Sequence, residues 1–111
     1  MTSTCTPRRT AMATKPTASA LKVFAVLDVL IRHFANGLSN TELAKATGFS
    51  ESFITRAIVT LEEAGYAERI PGTERIRPSH RFAQHAVAIM RSLDDARARV
   101  DEAMARMTTK P

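Results

Sequence analysis

The side chains that most often carry out catalysis are few in this sequence and poorly spaced. The three histidines are His33, His80 and His85, and the last two lie five residues apart, which does not place them on one helical face. Asp94 and Asp95 are adjacent within a charged segment. With a single cysteine, the chain can form neither an intrachain disulfide nor a multi-cysteine metal site. We therefore expect no enzyme activity, no metal and no cofactor.

Basic side chains are the second group that could take part in binding or chemistry. The 111 residues include 16 Lys+Arg and 11 Asp+Glu, which gives a formal net charge of +5. The excess lies in residues 1–19 and 66–111, on either side of a near-neutral centre. Arginine suits phosphate groups and guanine edges, although a net charge of this size is also ordinary for a small solvated domain. Charge alone favours a nucleic-acid partner only slightly.

The N-terminal third of the chain is predicted to hold an arm and one helix. Residues 1–18 are rich in Thr, Ser and Pro and lack an apolar period, so we expect a disordered basic arm that is either solvated or in contact with DNA. Residues 19–35 have apolar side chains at helical spacing and end near Gly37. The longest apolar stretch, 23–31, contains Asp28 and is too short to cross a membrane. We expect a cytoplasmic protein with no membrane partner.

Two further helices and a hairpin are predicted from local signals. Ser39-Asn40-Thr41-Glu42 has the pattern of a capping box, and Thr47-Gly48 ends the short helix that it begins. Ser50 begins a third helix over 51–64, which Gly65 ends. Strand candidates 66–70 and 75–77 flank a Pro-Gly turn. This order predicts a mainly α fold over residues 19–78: a winged helix-turn-helix of three helices plus a short β-hairpin. An unrelated three-helix bundle is the alternative.

The central segment also resembles a known family. GLSNTELAKATGFSESFITRAIVTLEEAGYAER, residues 37–69, resembles the DNA-binding domain of IclR-type transcription regulators, and SALKVFAVLDVL, residues 19–30, resembles the helix that opens that domain. The similarity covers roughly residues 19–82, and MarR-type regulators, which share the architecture, are the second choice. The resemblance implies binding to double-stranded DNA and regulation of transcription. IclR-type proteins also carry a large effector-binding domain, for which these residues leave no room, so we expect no small-molecule ligand.

In this architecture the second helix of the motif enters the major groove and the hairpin, or wing, lies beside it. The predicted DNA-binding residues of helix and wing are Ser50, Ser52, Phe53, Thr55, Arg56, Arg69, Thr73, Arg75 and Arg77. Phe53 either meets a thymine methyl group or packs on Phe49 as part of the core. Arg75 and Arg77 alternate on one strand face with only Glu74 as a nearby acid, which favours DNA contact over a solvated strand face.

Residues 79–111 are predicted to form a long C-terminal dimerisation helix. Apolar residues recur there every seven positions, with others three positions later, as in a coiled-coil seam. The predicted seam consists of Ala86, Ile89, Met90, Leu93, Ala96, Val100, Met104 and Met107. A domain of this size cannot bury such a seam alone, so pairing with a second copy is expected. The alternative, that the helix folds back on the first helix, is compatible with a dimer.

These patterns predict a sequence-specific double-stranded DNA-binding transcription regulator that acts as a homodimeric repressor. The alternative is a small winged-helix protein that binds other proteins, as an adaptor or as an antagonist of a host regulator. Salt-sensitive binding to duplex of random sequence distinguishes the two, because phosphate contacts release counterions.

Overall fold

The computed structural model describes residues 14–109, in which four helices and two strands follow one another along the chain. The elements are α1 Ala18–Arg32, α2 Asn40–Thr47, α3 Glu51–Glu63, β1 Ala67–Arg69, β2 Ile76–Pro78 and α4 His80–Thr108. This order confirms the predicted winged helix-turn-helix with a long C-terminal helix. Most of the predicted arm, residues 1–18, lies outside the described residues.

The starts of α2 and α3 depend on local hydrogen bonds that the sequence predicts. The Ser39 hydroxyl accepts from the Glu42 N–H at 3.2 Å, and the Glu42 carboxylate accepts from the Ser39 N–H at 3.0 Å, which completes the capping box. The Ser50 hydroxyl accepts from the Phe53 N–H at 3.1 Å. Between the two helices Gly48 adopts a left-handed conformation with φ of 80°. The helix-turn-helix is therefore determined largely by its own caps.

The first helix ends about one turn earlier than the predicted range of 19–35. The N–H of His33 donates to the Leu30 carbonyl at 3.0 Å, and the N–H of Gly37 donates to the His33 carbonyl at 2.8 Å. The chain then turns toward the hairpin, where Leu38 and Ile76 exchange backbone hydrogen bonds of 2.9 and 2.8 Å. Pairing with β2 thus takes precedence over the helical pattern of residues 33–35.

The core lies between the first three helices and the hairpin. It consists of Val26, Leu27, Val29, Leu30, Leu38, Leu43, Ile54, Ala57, Ile58, Leu61, Ala67 and Ile76. This packing buries only part of the apolar face predicted for α1. Phe24, Ile31 and Phe34 remain 59%, 42% and 39% exposed. Because α2, α3 and β2 cover only one side of α1, part of its apolar surface has no partner within residues 14–109.

The hairpin pairs β1 and β2 in antiparallel register, with Glu68 opposite Arg77. Ser79 then connects β2 to α4. Its buried hydroxyl donates to the Gly65 carbonyl at 2.7 Å and accepts from the Phe82 N–H at 3.0 Å. The Phe82 ring packs edge-on against Tyr66 with 5.6 Å between centroids. The first turn of α4 is therefore fixed to the domain.

Beyond that first turn α4 extends away from the domain. None of its residues is buried in the single chain. The Cα radius of gyration is 19.9 Å, against about 13 Å for a compact chain of this length. Among the helices described, none combines the length and apolar character that a membrane crossing requires.

Candidate nucleic-acid interface

The side chains of α3 divide into an inner and an outer set. The inner set is Ile54, Ala57, Ile58 and Leu61, all of them buried. Helical geometry places Ser52, Arg56 and Val59 on the opposite side, and all three are exposed. Within residues 14–109 the side chains of Ser52 and Arg56 make no hydrogen bond and no ion pair to another residue, so both are available to a ligand.

Two other hydroxyl groups predicted to contact DNA already have partners in the chain. Thr55 donates to the Glu51 carbonyl at 3.0 Å and accepts from the Asn40 side-chain amide at 3.1 Å. The Ser50 hydroxyl caps α3. Both residues remain exposed at the surface, but their hydroxyls serve first to hold α2 and α3 together and to begin α3.

Phe53 packs against Phe49 rather than projecting freely. The two rings meet edge to face with 5.4 Å between centroids, and Phe53 is half-buried. Its contact with the core favours the core interpretation over the thymine-methyl interpretation. Two cations lie over these rings: Lys22 Nζ is 5.5 Å from each centroid, and the Arg56 guanidinium is 5.7 Å from that of Phe53. Sequence spacing gives no signal for Lys22, because only the tertiary fold brings α1 to the start of α3.

Arg75 connects the wing to the loop between α1 and α2. Its Nε donates to the Asn36 carbonyl at 3.0 Å and its Nη2 to the Gly37 carbonyl at 3.1 Å. Nη2 also lies 3.0 Å from the Glu42 carboxylate. The hydrogen bond from the Ser39 N–H, followed by the charge of Arg75, holds the pKa of Glu42 below its usual range.

Arg77 pairs with a carboxylate on the neighbouring strand. Its Nε is 2.9 Å from Glu68 Oε2, and the N–H of His80 donates to Glu68 Oε1 at 3.3 Å. Burial raises the pKa of Glu68, but the hydrogen bonds from Arg77 and His80 outweigh burial and leave this pKa below its usual range.

The expectation that Glu74 is the one acid near the wing arginines is therefore wrong. Arg75 and Arg77 pair with Glu42 and Glu68, and Arg69 lies 3.5 Å from the carboxylate of Glu62. Glu42 is distant in sequence, Glu68 lies across the hairpin and Glu62 belongs to α3, so charge counting along the strand does not find them. Thr73 is also engaged, since its hydroxyl donates to the Ile70 carbonyl at 2.8 Å. DNA contact by these four residues stays a prediction.

The seam predicted on α4 lies on the surface. Ile89, Leu93 and Val100 are 62%, 65% and 57% exposed. The other predicted seam positions are also exposed or half-buried: Ala86, Met90, Ala96, Met104 and Met107. Near its base the seam meets a small apolar groove of about 240 Å³, which Ile31 and Phe34 line from the α1 side.

A short helix, a tight turn, an exposed helix and a β-hairpin packed on one core define a winged helix-turn-helix domain. Residues 19–71 match the family model of the IclR helix-turn-helix domain. These residues are therefore an IclR-type helix-turn-helix domain, a DNA-binding domain of transcription regulators.

One solved structure with the same fold comes from Silicibacter sp. TM1040 and is described as a candidate IclR transcriptional regulator. It superposes with a TM-score of 0.59 at 20% sequence identity, over 74% of this chain and 33% of that one. The present chain thus spans about a third of that protein, and at this identity the likeness concerns the fold. A comparison with curated proteins found no match.

Proposed function

We propose that the chain is a sequence-specific, double-stranded DNA-binding transcription regulator that acts as a homodimeric repressor in the cytoplasm. The free outer side of α3 carries this proposal. A helix of about 10–12 Å diameter fits a major groove of about 12 Å width. The Arg56 guanidinium, which has no carboxylate partner in the described part of the chain, can donate two hydrogen bonds to O6 and N7 of guanine.

Arg56→Ala tests the assignment of α3. The preferred site is first selected from duplexes of random sequence with the wild-type protein. The variant should bind that site about 1–3 kcal/mol more weakly and lose preference at one base pair. Arg32→Ala is the matched control, because it removes the same charge from the far end of α1 and should keep the preference. Unchanged affinity and preference of Arg56→Ala at moderate salt would contradict base recognition by α3.

The exposed apolar surfaces support the dimer. The α4 seam and the uncovered side of α1 meet at the small groove that Ile31 and Phe34 line. Ile89, Leu93 and Val100 along that seam are all more than half exposed, and a contiguous exposed apolar surface of this kind is typical of an interface. A second copy would cover the seam by placing its own α4 alongside.

The protein-binding alternative is supported by the self-paired wing, which leaves less free positive charge for phosphate. Wild-type protein that binds random duplex with no salt dependence, or not at all, would favour an adaptor or an antagonist of another regulator.

A further inference from the structure

The wing and the start of α3 differ in the availability of positive charge. On the wing side, Arg69, Arg75 and Arg77 each face a glutamate within 3.5 Å. Arg75 additionally donates to two backbone carbonyls. A phosphate on that side would have to compete with carboxylates that are already in place. The wing is therefore fixed in shape and nearly neutral in charge.

At the start of α3, by contrast, two cations form no ion pair with any residue of the described range 14–109. Lys22 of α1 lies over the rings of Phe49 and Phe53, and Arg56 lies over Phe53 from α3. Among residues 14–109, neither cation forms an ion pair with a carboxylate. An aromatic face attracts an ammonium group without neutralising its charge or occupying all of its three N–H donors. The rings thus position Lys22 while it can still donate to another acceptor.

The position of Lys22 relative to α3 decides what that acceptor would be. A helix in the major groove nearly fills its width, so the neighbouring elements on either side of the helix face the phosphate backbones. Lys22 contacts the two rings at the start of α3, whose N-terminal residues approach the base edges in this architecture. Docked in this way, α3 would bring the Lys22 ammonium group to the rim of the groove, where phosphate oxygens are the available anions.

We propose that Lys22, positioned by Phe49 and Phe53, is a DNA phosphate contact on the α1 side of the recognition helix, and that the wing acts mainly through shape. The proposal rests on the DNA-binding function proposed above. It assigns a role to a residue of α1 and shifts the sequence-independent charge contact from the wing to α1. Arg56 beside it retains the role of base recognition.

The salt dependence of binding to random-sequence duplex tests this proposal. Lys22→Met keeps a long apolar side chain on the two rings but removes the charge. The slope of log K against log salt should become shallower by about 0.9 per bound chain, with about an eightfold loss of affinity at 0.1 M salt. Lys22→Arg should keep both slope and affinity. Arg32→Met, about 15 Å further along α1, is the control and should match the wild type.

Arg75→Met tests the competing explanation, in which the wing contacts phosphate. Its slope of log K against log salt should equal that of the wild type. All slopes are measured below the thermal transition of each variant, as determined by circular dichroism. A wild-type slope for Lys22→Met overturns the proposal, and a shallower slope for Arg75→Met alone places the phosphate contact on the wing. Absence of salt-dependent binding by the wild type would instead contradict the DNA-binding function itself.

Discussion

Gly37 is the residue on which the junction between α1 and the wing depends. It has φ of 69°, a conformation that side chains with a Cβ adopt only at a cost. A Cβ at this position would lie 2.6 Å from the Ile76 carbonyl oxygen, which is backbone and cannot rotate away. The sequence predicts Gly37 as the end of a helix, whereas its tighter constraint comes from a strand 39 residues later.

Gly37→Ala should lower the free energy of unfolding by more than Gly72→Ala. Gly72 has a similar φ of 79°, but a Cβ there would meet nothing within 4 Å. The Gly72 variant therefore reports backbone strain alone, about 1–2 kcal/mol, and the Gly37 variant adds the displacement of β2. Urea titrations of both variants measure the difference. Equal losses of unfolding free energy in the two variants would show that the loop at Gly37 can shift relative to the wing without displacing β2.

Glu68 makes the wing sensitive to acid. Its pKa is lowered in the folded chain, so folding favours the ionised carboxylate. The resulting stabilisation is present above the unfolded pKa of about 4.3 and is lost as the pH falls through the lower folded pKa. Glu42 contributes with the same sign. The melting temperature should therefore fall as the pH is lowered from 6 to 3.

Glu68→Gln should melt below the wild type at pH 7, and the difference should shrink as the pH falls, because protonation makes wild-type Glu68 neutral like glutamine. Thermal melts followed by circular dichroism across this pH range make the comparison. Glu63→Gln, which removes an exposed carboxylate without an ion pair in residues 14–109, serves as the control. A constant difference between Glu68→Gln and the wild type at every pH would exclude Glu68 as an acid-sensitive group.

At the scale of elements, local sequence signals predicted where the helices start. Non-local contacts determined where α1 ends and which carboxylates the wing arginines pair with. Ser39 and Ser50 cap their helices with groups three residues away, so the sequence alone is sufficient. The early end of α1 and the glutamate partners of the wing arginines result from contacts between distant segments. The position of Lys22 has the same origin. The fold was thus largely predictable, whereas the charge pattern of the interface was not.

Ser39→Ala should lower stability by about 1 kcal/mol, because the Glu42 N–H loses its acceptor at the start of α2. Thr41→Ala is the control within the same turn, since its exposed hydroxyl makes no hydrogen bond in the described residues. Chemical denaturation of both variants measures the effect. A loss for Thr41→Ala as large as that for Ser39→Ala would contradict the capping explanation, because Ala favours a helix at least as well as Thr does.

At the scale of the whole molecule, the uncovered seam of α4 predicts pairing. Leu93→Asp with Val100→Asp introduces two charges at its centre and should give monomers by light scattering. The helix-turn-helix domain should stay folded, because neither residue belongs to the core. Gln84→Asp with Ala98→Asp adds the same charge on the opposite side of α4 and should stay dimeric. Wild-type protein that is monomeric at tens of micromolar would contradict the dimer.

The dimer also predicts the form of the DNA site, and the same double variant tests that prediction. A two-fold dimer recognises an inverted repeat, with half-site centres about one helical turn or a multiple apart. Two linked domains gain affinity through effective concentration. The Leu93 and Val100 double variant should therefore lose far more affinity for the full repeat than for one half-site. Wild-type protein that binds a single half-site as tightly as the repeat, with one chain per duplex, would contradict this arrangement.

The buried Ser79 hydroxyl and the unbroken helix that follows it have a consequence for the angle between the paired domains. The base of α4 is fixed to the domain by the hydrogen bond from Ser79 to Gly65 and by the contact of the Phe82 ring with Tyr66. The direction in which the seam faces, relative to α3, therefore depends on the number of residues between the base and the seam. One inserted residue before Leu93 would rotate the seam by about 100°, whereas four would return it to within about 40° of its original phase. The sequence length of α4 between Ser79 and Leu93 thus encodes the orientation in which two recognition helices are presented to DNA.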